Sequence, residues 1–178
     1  MNKYLVWGLL SLMQLPFWAQ DTLLTNYPGT DQRWEKIYNN EDKVAENIYY
    51  ADGSPWMTVK YDTDQMENWK WFYENGNPYF FATILEGQLQ GTYRIWYENG
   101  QVAERLIFKD RLENGPAVFF HKNGKLAATG QYQMGEMIGE WRFYDEVGNP
   151  FSGKWNWVYA ASMETIRMEG EVKEGVPL

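Results

Sequence analysis

The chain has 178 residues, no cysteine, one histidine, and sixteen Lys plus Arg against twenty-four Asp plus Glu. That length fits a single domain; the missing cysteines exclude disulfides, thiolate nucleophiles and Cys-ligated zinc, and the lone His121 excludes a His-pair metal site. The net charge of −8 speaks against nucleic acid and anionic lipid as partners, because both need clustered Lys and Arg. At the start of the chain Lys3 precedes the apolar run Leu5–Met13, and Pro16-Phe17-Trp18-Ala19 follows. This pattern predicts a secretory signal peptide over residues 1–19 with cleavage after Ala19, although Phe17 departs from the small residue expected there. The run is far shorter than the roughly 20 residues that cross a bilayer. An uncleaved anchor and a buried first strand are the alternatives. No cysteine stands near the cleavage site to carry a lipoprotein anchor, and no other stretch approaches a membrane span. The expectation is a soluble exported protein, periplasmic or extracellular.

Residues 20–178 form the predicted β-repeat domain, and ten Trp, thirteen Tyr, nine Phe and sixteen Gly suit strands joined by turns. A period of 24 organises it: Gly76, Gly100, Gly124 and Gly148 are spaced by 24, and Gly53 lies 23 before Gly76. A second series, Gly91, Gly115 and Gly139, keeps the same spacing. Between the two series lie short aromatic segments such as Trp69-Lys70-Trp71-Phe72-Tyr73 and Tyr93-Arg94-Ile95-Trp96-Tyr97. Asn75-Gly76, Asn99-Gly100 and Asn123-Gly124 predict two-residue type I′ hairpin tips, since Asn and Gly both tolerate positive φ. Glu86-Gly87, Asp110-Arg111 and Met134-Gly135 mark the return turns. Each unit is then a hairpin, and consecutive units form an all-β antiparallel meander, an elongated curved sheet advancing roughly 10 Å per unit.

Alternation across two-residue tips assigns the faces. Trp69, Trp71 and Tyr73 share a face with Phe80, Ala82 and Ile84. Tyr93, Ile95 and Tyr97 join Val102, Leu106 and Phe108, with Glu104 the misfit, and Ala117 and Phe119 join Leu126, Ala128 and Tyr132. This is the predicted core side. The other face carries Lys70, Arg94, Val118 and Arg142 in one row and Phe72, Trp96, Phe120 and Tyr144 in the next. The ends are less regular. Trp155–Tyr159 echoes Trp69–Tyr73, and Gly170, Val172 and Gly175 match Gly130, Tyr132 and Gly135 in a shortened last unit. Atypical end units are expected of a repeat array, which must cap an open sheet edge.

Gly91-Thr92-Tyr93-Arg94-Ile95-Trp96-Tyr97-Glu98-Asn99-Gly100 is the best copy of the repeat, and Gly139–Tyr144 with Gly148 follows it closely. The pattern resembles the MORN repeat variant, in the version found in bacterial YwqK-family proteins often labelled antitoxins. The likeness is clearest over 68–148. It implies a meandering sheet used for interaction, with no shared catalytic residues; separately, no cofactor is expected.

The remaining polar residues point the same way. Glu74, Glu98 and Glu146 recur at equivalent tip positions, as solvated turn residues do, so they do not read as a glycosidase pair. His121 replaces Tyr73 and Tyr97 at one repeat position and reads as a strand residue rather than a base. Asp62, Asp64 and Glu67 lack the spacing of a calcium loop. What is left is the face bearing Lys70, Phe72, Arg94, Trp96, Phe120, Arg142 and Tyr144, held by structural turns at Gly53, Gly76, Gly100, Gly124 and Gly148. Aromatics in line can stack sugars or cover a partner strand, and the cations beside them can reach carboxylates. The first expectation is a non-catalytic exported protein holding a protein partner in the cell envelope. The alternatives are a glycan-binding protein that uses the stacked aromatics, and an antitoxin or immunity-like protein that neutralises a basic toxin.

Overall fold

The computed structural model describes residues 21–62, 65–161 and 164–177. The expected signal peptide over 1–19 lies outside the described residues, as does Asp64 of the acidic cluster. Strands β1 (Asp21–Asn26), β2 (Arg33–Asn39), β3 (Asp42–Tyr49), β4 (Pro55–Tyr61) and β5 (Met66–Phe72) come first. Next are β6 (Pro78–Leu85), β7 (Gln88–Trp96), β8 (Val102–Lys109) and the short β9 (Leu112–Glu113). They are followed by β10 (Gly115–Phe120), β11 (Leu126–Gln133), β12 (Glu136–Phe143), β13 (Gly153–Ala161), β14 (Glu164–Lys173) and β15 (Val176–Pro177). The first twelve form one antiparallel sheet in chain order, with β9 set beside β8. This is the all-β hairpin meander that the 24-residue period predicts.

The Asn-Gly tips do not take the type I′ geometry expected of them. At the first Asn-Gly tip the Tyr73 N–H donates to the Asn77 carbonyl at 2.9 Å, and the Gly76 N–H to the Tyr73 carbonyl at 2.9 Å. That is a three-residue loop, in which Gly76 takes φ +82° and Asn75 does not take a positive φ. The tips at Gly100 and Gly124 repeat it. The asparagine is used for its side chain. Its Oδ1 accepts from the N–H two residues on, at 2.9 Å from Asn77, 3.0 Å from Gln101 and 2.9 Å from Lys125. Its Nδ2 donates to a carbonyl of the next tip: Asn75 to Glu98, Asn99 to Lys122 and Asn123 to Glu146. The type I′ turns lie instead at Glu86-Gly87, Asp110-Arg111 and Met134-Gly135, where both residues have positive φ.

The longer tip loop does not invert the faces. Past each tip the pairing shifts by one residue: Phe72 pairs with Pro78 but Trp71 with Phe80, Trp96 with Val102 but Ile95 with Glu104, and Phe120 with Leu126 but Phe119 with Ala128. The bulged residues Tyr79, Ala103 and Ala127 absorb the offset, so the inner pairs keep the register of a two-residue turn. Cross-strand pairs then run unbroken through Trp34, Ile48, Met57, Trp71, Phe80, Ile95, Glu104, Phe119, Ala128 and Phe143.

Two apolar clusters form on that face. Ile48, Met57 and Val59 pack with Trp34, Trp56, Trp69 and Trp71. The larger cluster centres on Tyr93, Leu106, Phe108, Phe119, Trp141 and Phe143, all buried. A flat single layer would leave such rings wet. Bulges bend the strands that carry them: Thr83 of β6 faces Gln90–Thr92 of β7, and Gly130 of β11 faces Gly139–Trp141 of β12. The closing unit leaves the meander, because β13, β14 and β15 form a separate three-stranded sheet. It still contributes Val172 to the larger cluster, and the Gly175 carbonyl accepts from the Phe143 N–H at 2.8 Å.

Candidate functional site

Pairing continues across the opposite face through Lys70, Phe81, Arg94, Arg105, Val118, Thr129 and Arg142. The ring row lies beside it. Lys70 Nζ sits 4.9 Å from the centre of the Phe72 ring, and the Arg94 guanidinium 5.5 Å from the Trp96 ring. In the next unit Val118 occupies the place of the cation, and Arg105 reaches across from β8 to stand 5.3 Å from the Phe120 ring. Three successive units therefore each set one cation over one half-buried ring.

Arg94 and Arg105 face each other directly across β7 and β8. Like charges so placed repel. Among the described residues no carboxylate lies within ion-pairing distance of either, and Arg94 Nε is buried without a hydrogen-bond partner. Arg142 differs: Glu140 on its own strand binds it, with Nη2 2.7 Å and Nε 3.1 Å from Oε1. Tyr144 is held at the sheet margin by its bridge to Pro150. Of the seven residues expected on this face, five form the repeated cation–ring array, and Arg142 and Tyr144 stand apart from it. Arg105 completes the array and was not among the expected site residues. Its signal was available, because the register that pairs Ile95 with Glu104 sets Arg105 opposite Arg94.

The five tip glycines Gly53, Gly76, Gly100, Gly124 and Gly148 all take positive φ. Beside them runs a ladder of ring donors. Tyr50 OH donates to the Phe72 carbonyl at 2.9 Å, Tyr73 OH to that of Trp96 at 2.8 Å, and Tyr97 OH to that of Phe120 at 2.8 Å. His121 continues it, with Nε2 2.9 Å from the Tyr144 carbonyl. Only a protonated Nε2 can donate there, so the histidine fills a structural donor position. Among the described residues no group of three His, Cys, Asp or Glu is placed to hold a metal ion. No helix among them is long and apolar enough to cross a membrane.

A family model described as a MORN repeat variant matches residues 68–80, 89–110 and 113–134. The central hairpins are similar to MORN-variant repeats. The matched segments hold Lys70, Phe72, Arg94, Trp96, Arg105 and Phe120, so the whole cation–ring array lies within them. No curated protein matches the chain.

Proposed function

We propose that the protein is a non-catalytic, exported interaction module that binds an acidic segment of a protein partner in the cell envelope through the face of Lys70, Phe72, Arg94, Trp96, Arg105 and Phe120. The observation that carries this reading is the direct opposition of Arg94 and Arg105 with no carboxylate within ion-pairing distance of either among the described residues. An anionic partner would relieve both charges, and the rings beside them would supply apolar contact. MORN repeats commonly serve as binding modules, which agrees with this use. Export rests on the Lys3–Ala19 pattern, and kinship with YwqK-family proteins rests on the repeat pattern; both belong to the proposal.

A photo-crosslinking residue at position 96, in the native host, tests it. The expected result is one discrete adduct, lost when Arg94→Glu and Arg105→Glu are combined. An adduct indifferent to that charge reversal, or none at all, contradicts the reading.

A further inference from the structure

The residue bulged beside each tip is a buried alanine in two central units, Ala103 and Ala127. In the two preceding units the equivalent bulged residues are Trp56 and Tyr79. The repeat itself does not need these rings. Together with Tyr50, Trp71, Phe72 and Tyr73 they line an open cleft of about 490 Å³. Two tip carboxylates, Glu74 and Glu98, line it as well, and no Lys or Arg does. The equivalent residues at the next two tips are Lys122 and Glu146, so Glu74 and Glu98 are the adjacent pair of acidic tips in this series.

The cleft is shaped before any ligand arrives. The hydroxyls of Tyr50 and Tyr73 are committed to backbone carbonyls, at 2.9 and 2.8 Å. The Tyr73 and Tyr79 rings meet with centroids 5.0 Å apart and planes inclined at 59°. Burial, and then the charges of Glu74 and Asp52, push the Tyr50 phenol above its ordinary pKa. Burial, and then Tyr79 and Glu98, do the same to Tyr73. The Trp71 indole nitrogen is buried and has no hydrogen-bond partner.

A sugar would need a flat ring platform. Here the Tyr73 and Tyr79 rings are inclined and two phenols are already engaged. Inclined rings with negative charge at hand suit a soft organic cation. We propose that this cleft binds a trimethylammonium group, as carried by a choline-like solute. The cleft shares Phe72 with the cation–ring face, but its other lining residues lie outside that face, and neither proposal depends on the other.

Calorimetric titration of the full chain with choline chloride, against sodium chloride at equal ionic strength, is the test. Saturable binding of choline but not of sodium is expected. Tyr79→Ala, which copies the state of Ala103, should weaken it about tenfold or more, with the melting temperature close to that of the parent. The pair Glu74→Gln and Glu98→Gln should act in the same direction. Lys109→Gln, outside both the cleft and the cation–ring face, should leave choline affinity unchanged. Co-sedimentation with phosphatidylcholine vesicles that free choline reverses would assign a lipid headgroup as the source of the group, and choline binding without co-sedimentation a soluble solute. No saturable choline binding, undiminished binding by folded Tyr79→Ala, or glucose binding in place of choline would overturn the proposal.

Discussion

Two glutamates on one face of the sheet, Glu46 buried and Glu104 partly so, meet opposite fates. Burial alone would raise the Glu46 carboxyl, but Lys43 beside it and hydrogen bonds from Tyr61 and Trp34 hold it below the ordinary carboxylate range. Glu104 sits between Ile95 and Phe119 in the core row, and its Oε2 is inaccessible and without a partner. Burial there pushes the carboxyl up to about 7, from an ordinary 4.5. The folded chain thus holds a proton that the unfolded chain releases between those two values, and stability falls as pH rises through that window and levels off above it. The full span corresponds to about 3 kcal/mol. Glu104→Gln should remove this slope, raising stability near pH 8 by up to about 3 kcal/mol and leaving it unchanged near pH 4. Melts at both pH values decide it, and parallel curves for parent and variant would contradict the assignment. Arg111 offers a second residue-scale test. It takes φ +71° at the return-turn position where the other central units have Gly87 and Gly135. Arg111→Gly should stabilise by about 1 kcal/mol, read as a higher denaturant midpoint at unchanged slope.

Strand pairing shows which parts of the sequence determine structure. Gly130 lies under the Trp141 ring, and a Cβ built on it would stand 2.1 Å from Trp141 Cδ2. One period pair earlier, Ala82 pairs with Tyr93, so the position under the buried aromatic is kept small. Gly130→Ala should cost about 1–3 kcal/mol, because neither ring nor backbone can retreat in a packed sheet. A melting temperature equal to the parent's would show that the ring moves freely. Most of the fold was legible in this way: spacing set the strands, and alternation set the faces. The tip geometry was not, because Asn-Gly is compatible with two loops. The choice between them is made by the asparagine amide reaching the next tip, a contact between residues 23 apart. The face assignment survived since the bulges at Tyr79, Ala103 and Ala127 restore the inner register. Departure of the last unit into its own sheet was also hidden, since Gly170, Val172 and Gly175 still match the repeat.

Across the whole molecule the strands pack chiefly on their neighbours in sequence, with β15 on β12 and β9 on β11 as additions. The cation–ring face follows from that order: it was legible as alternation within strands, whereas Arg105 needed the pairing between them. The same order divides the core into a cluster around Ile48, Met57 and Val59 and a larger one from Ala82 onward, meeting where the Trp71 and Phe80 rings lie 5.5 Å apart. In such an array damage stays near its source, because distant units share no contacts through which to lose stability together. Phe119 is buried in the larger cluster, so Phe119→Ala should cost about 3–5 kcal/mol. Trp96→Ala, on the half-buried opposite face, should cost distinctly less. In hydrogen exchange, Phe119→Ala should deprotect the amides of β8, β10 and β11 first and leave β3 and β4 near parental protection, while Val59→Ala should do the reverse. Uniform loss of protection in both variants would mean one cooperative core. A greater loss from Trp96→Ala than from Phe119→Ala would mean that the two faces are inverted.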